Sequence, residues 1–349
     1  MKEFWSQRIR DIVPYVPGEQ PRERKWIKLN TNENPYPPSP RVLEAMKTAV
    51  NADLRLYPDP ECTALRFAAA DCWGVKPEQV FCGNGSDEIL AFCFQAFFDP
   101  GRDVVFPKIT YSFYPVYTNY FGLDRREVPM NPDFSDPVEL LCGNNGGVVL
   151  ANPNAPTGIA VELDVVEKLL RANPDVVVIV DEAYVDFGAR SAVGLIDRYP
   201  NLVVTQTLSK SRSLAGLRVG FALGQENLIA ALRCVRDSIN SYTVDRLAQA
   251  GAAAALHDRE YFEHTCRKVM DTRAWTAGEL EKLGFIVCPS QANFLFARHP
   301  KRRGKEIFDH LRRSGILVRR WDIPEICDWL RISIGTEEEM QALVAAVGG

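Results

Sequence analysis

The run Val176-Val177-Val178-Ile179-Val180 ends in Asp181-Glu182-Ala183-Tyr184. Consecutive β-branched apolar residues suit a strand that is covered on both faces. Strands of that kind belong to parallel sheets flanked by helices. The pattern recurs at Val80-Phe81-Cys82, Asp103 to Phe106, Val148-Val149-Leu150, Leu202-Val203-Val204-Thr205 and Gly220-Phe221-Ala222. Helical stretches are predicted between them over 86–97, 111–120 and 163–172. Such alternation specifies an α/β fold with a mostly parallel central sheet. Ligands of such sheets sit at the carboxyl ends of the strands, so the residues there deserve the closest reading.

Those ends carry an ordered set of polar groups. Gly83-Asn84-Gly85-Ser86-Asp87-Glu88 follows a strand and opens a helix. Its glycines let backbone amides approach an anion, and the first helical turn attracts phosphate. Ser86 or Asp87 as a plain helix cap is the simpler alternative. Tyr111 is expected to start the next helix, where its ring can lie over a flat ligand. Asn152-Pro153-Asn154-Ala155-Pro156-Thr157-Gly158 is a stiff loop able to present an amide, or merely a turn. Asp181 ends the Val/Ile strand, with Tyr184 three residues on. Thr207-Leu208-Ser209-Lys210 then follows a strand, and Gly216-Leu217-Arg218-Val219-Gly220 comes after it.

A lone lysine after a strand reads first as a surface residue. Acid, tyrosine, hydroxyl, lysine and arginine in this order fit pyridoxal 5′-phosphate. The Lys210 amine would attach the cofactor and later carry a proton at the substrate α-carbon. Asp181 would hold the proton on the pyridine nitrogen, and Tyr184 would touch the ring oxygen. Ser209 and Arg218 would bind the phosphate. Arg331, inside the apolar run Trp329-Leu330-Arg331-Ile332-Ser333, is either a carboxylate-binding fork or a solvent-facing strand residue. Arg319 or Arg320 offers a second positive group by the same reasoning.

Composition narrows the function from the other side. A net charge of −4 argues against nucleic-acid or membrane-surface binding. The basic run His299 to Lys305 is read as a solvated loop. None of the nine cysteines forms a CxxC pair; Cys62, Cys72, Cys82 and Cys93, spread among apolar segments, read as small core residues of a reducing compartment, and the four histidines show no metal-ligand spacing. No metal is expected. Met1-Lys2-Glu3-Phe4-Trp5 lacks the apolar core of a signal peptide, and no run is long enough to cross a bilayer, so a cytoplasmic protein is expected.

Three parts are expected along the chain: a Pro-rich arm over 1–30, a large sheet unit over 31–245, and a smaller α+β unit over 246–349. The last helix opens with Thr336-Glu337-Glu338-Glu339, a capping-box pattern.

Taken together, these motifs resemble the fold-type I pyridoxal phosphate-dependent aminotransferases, and among them the histidinol-phosphate branch. The resemblance rests on Arg10 to Tyr15, Leu29 to Tyr36, Arg55-Leu56-Tyr57-Pro58-Asp59 and the motifs above, and it covers nearly the whole chain. It implies transfer of an amino group between histidinol phosphate and glutamate/2-oxoglutarate, by a homodimer with sites at the subunit interface. Tyr57 is similar to the tyrosine that reaches the neighbouring subunit's cofactor phosphate. The arm, with Tyr15, is implied to help close the site over substrate, with Asn32 on the substrate side. One position departs from the pattern. Relatives often carry Asn directly before Pro-Thr-Gly, where Ala155 stands here, and Asn154 is the neighbouring candidate for the ring-oxygen contact. An aromatic amino-acid aminotransferase and an L-threonine-phosphate decarboxylase are the alternatives with similar motifs.

Overall fold

The computed structural model describes residues 4–21 and 23–348. Met1 to Glu3, part of the expected arm and of the start read for targeting, lie outside them. Seven strands form the main sheet: β1 Val80–Gly83, β2 Val104–Pro107, β3 Arg125–Val128, β4 Gly147–Ala151, β5 Val178–Asp181, β6 Leu202–Thr207 and β7 Gly220–Gly224. Their spatial order is β1-β7-β6-β5-β4-β2-β3. Pairings from β3 through β6 are parallel, and β7 runs antiparallel to both β6 and β1.

Side chains alternate across this sheet as the pleat requires. Val178 and Val180 point into one core, with the helices Thr63–Trp73, Leu163–Ala172 and Arg246–His257. Ile179 points into the other, with Gly85–Phe97, Tyr114–Phe121 and Glu226–Ile239. Both faces are therefore dry, which is why the strands could be read as unbroken apolar runs. Strand β3 could not. Its burial is confined to Val128, the other three residues are charged and exposed, and it lies at the sheet edge.

A second sheet has Phe294–Arg298 at its centre, antiparallel to Ile286–Val287 and to Leu330–Ser333. Helices Arg259–Lys282, Gly304–Arg313 and Glu337–Gly348 pack on it. The capping box forms as expected: the Thr336 amide donates to Glu339 at 2.9 Å and the Glu339 amide to the Thr336 hydroxyl at 3.3 Å. Leu29 joins this core, and Ile27–Lys28 pairs in parallel with Ile316–Leu317. Residues 246–257, expected in the smaller unit, instead bury Ala248, Ala252 and Ala255 against the main sheet's core. The basic run is not simply a solvated loop. Helix Gly304–Arg313 begins inside it, and Arg302 donates to the Val347 carbonyl at 2.7 Å, closing the last helix.

Candidate active site

The carboxyl ends of β4, β5 and β6 meet the start of β7. Ala151, Asp181 and Thr205 are register neighbours across the first three strands, and Thr207 pairs with Gly220. One cavity opens there. It is lined by Tyr15, Asn32, Ser86, Asp87, Tyr111, Asp181, Tyr184, Ser209, Lys210, Arg218 and Arg331. Residues from eight separate stretches of the chain thus converge, as the strand-end motifs required.

The cradle at the start of helix Gly85–Phe97 depends on two glycines. A Cβ on Gly85 would lie 2.5 Å from the Arg218 guanidinium. One on Gly220 would lie 2.6 Å from the backbone of Gly85 and Ser86. Only hydrogen at both positions lets the arginine lie against the helix start. The Arg218 guanidinium bonds Asp87 at 3.0 Å, and the hydroxyl of Tyr111 donates to the other Asp87 oxygen at 2.7 Å. Backbone amides of a helix start, a guanidinium and the Ser209 hydroxyl are the donor set that a phosphate monoester needs, so the cradle fits that group of pyridoxal phosphate.

Asp181 is buried and accepts from the Tyr114 hydroxyl at 2.8 Å and the Thr205 hydroxyl at 2.9 Å. Burial pushes its pKa up to about 6, against the pull of those two hydrogen bonds. A carboxylate held this way, without a cation, is short of positive charge. A protonated ring nitrogen would supply it.

The Lys210 amine donates to the Thr31 carbonyl at 3.1 Å. Desolvation, and then the neighbouring Arg331 charge, lower its pKa to about 8. A lysine so tuned is partly unprotonated near neutrality, as a nucleophile and proton carrier must be. Tyr184, whose ring centroid is 5.8 Å from that amine, accepts from the Asn32 amide at 3.0 Å. Burial raises the Tyr184 pKa, and the Arg331 charge opposes the rise.

Arg331 and Arg319 face each other on paired backbone, with reciprocal N–H···O bonds of 2.9 Å. Both line the cavity. Arg331 donates to the Asn30 carbonyl at 2.9 Å, yet its buried Nε has no partner. The solvent-facing reading of Arg331 therefore fails. Arg320 turns away, to the Cys327 carbonyl and Asp322.

Two expected residues stand apart from the cavity. Asn154 is fully buried, donating to the Ile109 carbonyl at 2.9 Å and the Thr157 hydroxyl at 3.1 Å, and accepting from Thr110 at 2.8 Å. Its side chain clasps the loop to the β2 end, and Ala155 faces the cavity in its place. Tyr57 is 77% exposed and stacks on Tyr242 at 4.6 Å, so it touches nothing in its own chain's site. Tyr111 sits in the turn before its helix and does not open it. Pro115, fit only for a first helical turn, sets the start at Tyr114. Sequence reasoning missed Thr31, Thr205 and Tyr114. An aromatic three residues after Tyr111 reads as core, and only its hydroxyl partner reveals more.

The "Aminotransferase class I and II" family model matches residues 24–347. Histidinol-phosphate aminotransferase 1 of Pseudomonas fluorescens is 53% identical over 348 residues, covering 100% of this chain and 99% of that protein. Histidinol-phosphate aminotransferase of Pseudomonas putida is 54% identical over 347 residues, 99% of this chain and 100% of that protein. Among solved structures, histidinol-phosphate aminotransferase from Sinorhizobium meliloti in complex with pyridoxal-5′-phosphate superposes with a TM-score of 0.86 at 28% identity, covering 93% of this chain and 91% of that one. With these relatives spanning its whole length, the chain belongs to the class I and II aminotransferases, in the histidinol-phosphate aminotransferase branch.

Proposed function

We propose that this protein exchanges an amino group between L-histidinol phosphate and 2-oxoglutarate, as a cytoplasmic homodimer. The observation that carries the substrate reading is the Arg319–Arg331 pair beside Lys210. Two guanidinium groups converge, and a buried donor of one of them lacks an acceptor. A buried, unpaired donor is costly, and a doubly charged phosphate or a carboxylate satisfies it.

Bound pyridoxal phosphate supplies an aldehyde that captures amines and a ring that draws electrons from the substrate's α-carbon. The residues divide the remaining work. Ser209, Arg218 and the amides around Ser86 and Asp87 bind the phosphate and fix the cofactor's depth. Tyr111, which lines the cavity, would lie against the ring. Asp181 holds the proton at the ring nitrogen. Tyr184, braced by Asn32, addresses the ring oxygen. Lys210 would hold the cofactor through its amine and, when that amine is free, would carry the proton at the substrate's α-carbon. Tyr15 and the segment before Asn32 wall off water from the substrate side.

Dimer formation is supported by apolar side chains left in solvent: Leu54 at 52%, Tyr57 at 77% and Ile239 at 60% exposure. Tyr57 and Tyr242 stack within this surface, which a second subunit would cover. Across that interface Tyr57 would donate to the neighbour's cofactor phosphate. Tyr57→Phe is expected to weaken cofactor binding by about 1.5–3 kcal/mol, the range for a hydrogen bond to a charged group. Sedimentation showing an active monomer would remove this part of the reading.

The test of function is a panel of amine donors and acceptors on purified protein. Glutamate should appear from 2-oxoglutarate with histidinol phosphate as donor, at a kcat/KM well above that with tyrosine or phenylalanine. Preference for the aromatic amino acids would make it an aromatic aminotransferase, and release of CO2 without glutamate would make it a decarboxylase.

A further inference from the structure

Each oxygen of Asp181 has one hydroxyl donor: Tyr114 on Oδ2 and Thr205 on Oδ1. The Ala183 amide adds a backbone bond. No ion pair involves Asp181 among the described residues. The cations of the same cavity, Lys210 and Arg218, form no ion pair with it; the titratable groups coupled to it are Asp87 and Cys93 of helix Gly85–Phe97, Tyr117 of helix Tyr114–Phe121, and Tyr184 of the following loop. Each of them is neutral or negative, and none can compensate a buried carboxylate. Before the cofactor arrives, the ionised form therefore rests on the two hydroxyls and one amide.

Of the two hydroxyls, that of Tyr114 is the more acidic and so the stronger donor. It is also the better braced. Its ring is fully buried, edge-on to Phe106 and Tyr111 at 5.7 Å each, and stacked near Phe94 at 6.3 Å. Tyr117, one turn further, donates to the Asp87 carbonyl at 2.8 Å. Tyr111 holds the Asp87 carboxylate. Tyrosines at three-residue spacing thus tie the covering ring, the acid and the phosphate cradle into one unit.

We propose that Tyr114 is a positioning residue of the reaction, whose hydroxyl orients the Asp181 carboxylate and keeps it ionised for the ring nitrogen. The inference rests on the aminotransferase reading of this cavity but not on the identity of the amine. Without the hydroxyl, Oδ2 loses its side-chain donor, and the neutral acid gains. The neutral acid cannot pair with a protonated ring, so cofactor binding should fail at the acid end first. Burial already lifts the acid's titration toward neutrality, so the effect falls at accessible pH.

The experiment titrates cofactor-free protein with pyridoxal phosphate from pH 5 to 8.5, followed by quenching of protein fluorescence. In Tyr114→Phe the acid limb of affinity should move up by about one pH unit, roughly tenfold weaker binding at the low end. Affinity at pH 8.5 should stay within about threefold of wild type. In an Asp181→Asn background the same change should move nothing, because no titrating acid remains. An unshifted limb in Tyr114→Phe, or an equal loss at every pH, overturns the proposal. If Tyr114→Phe does not fold, Tyr114→Gln, which keeps a neutral donor, should leave the limb within about 0.3 pH unit of wild type, and a larger shift overturns it. These readouts stand even if histidinol phosphate proves not to be the substrate.

Discussion

Asn32 donates its amide to the Tyr184 hydroxyl at 3.0 Å, joining the segment after the arm to the end of β5. It does so from a left-handed backbone, φ 55°, a region that asparagine tolerates better than most residues. Ser333 bonds both its amide N–H and its side-chain oxygen, and Asn293 donates to its carbonyl at 2.9 Å. Asn32 therefore couples the second sheet to the tyrosine beside Lys210. Asn32→Ala should lower kcat by roughly tenfold or more, about 1.4 kcal/mol of barrier, and lower the melting temperature by several degrees. Asn32→Gly relieves the backbone but not the lost amide. It should recover the melting temperature and not kcat. Recovery of both would mean that the hydrogen bond to Tyr184 is idle.

The lowered pKa of Lys210 is open to direct measurement in cofactor-free protein. Its amine should react with trinitrobenzenesulfonate along a titration curve centred at about 8, read by mass spectrometry of the modified peptide. An ordinary lysine reacts along a curve centred near 10.4. Desolvation is the larger cause of the lowering and the Arg331 charge the next, so Arg331→Leu should move the midpoint upward. A midpoint above 10 in the wild type would mean that the amine is solvated and not tuned by the cavity.

Arg331→Leu also tests the anion site. Its guanidinium has one hydrogen-bond acceptor, the Asn30 carbonyl, and a buried Nε without a partner. Losing it should raise KM for both substrates, and more for 2-oxoglutarate, whose carboxylate suits a planar fork. A charge-assisted hydrogen bond of about 1.5–3 kcal/mol corresponds to roughly 10- to 100-fold. Unchanged KM for 2-oxoglutarate would move the carboxylate site elsewhere, with Arg319 the next residue to vary.

The strand-end chemistry was legible because a doubly covered parallel sheet writes itself as Val/Ile runs, and polar residues at their ends stand out. Asp181, Lys210 and Arg218 meet because topology brings those ends together, and no spacing rule was needed. What was not legible depends on direction. Asn154 and Ala155 are adjacent, and sequence cannot tell which one points into the cavity. Tyr114 looks like any buried aromatic until its hydroxyl finds Asp181. The β3 strand, three charges and a valine, carries no apolar signal because an edge strand need not. Arg319 and Arg320 were equivalent on paper, and alternation along extended backbone sends one inward and the other to Asp322.

Asp136 offers a test of stability away from the site. It is 6% exposed, and its Oδ1 has no hydrogen-bond partner. Desolvation alone pushes its pKa up to about 7. A carboxyl whose pKa is raised on folding favours the fold while neutral. Its contribution is complete below the unfolded value near 3.9 and is lost as pH rises through about 7. Asp136→Asn removes the titration and keeps the local backbone bonds, in which the Asp136 carbonyl accepts from Asn131 at 3.3 Å and Val138 at 2.9 Å. The variant should therefore gain on the wild type as pH rises. The difference in unfolding free energy between pH 5 and pH 8.5 should be about 2–3 kcal/mol in its favour. Urea titrations of both proteins at the two pH values check this. A pH-independent difference would mean that water or a counter-ion already satisfies the carboxylate in the folded protein.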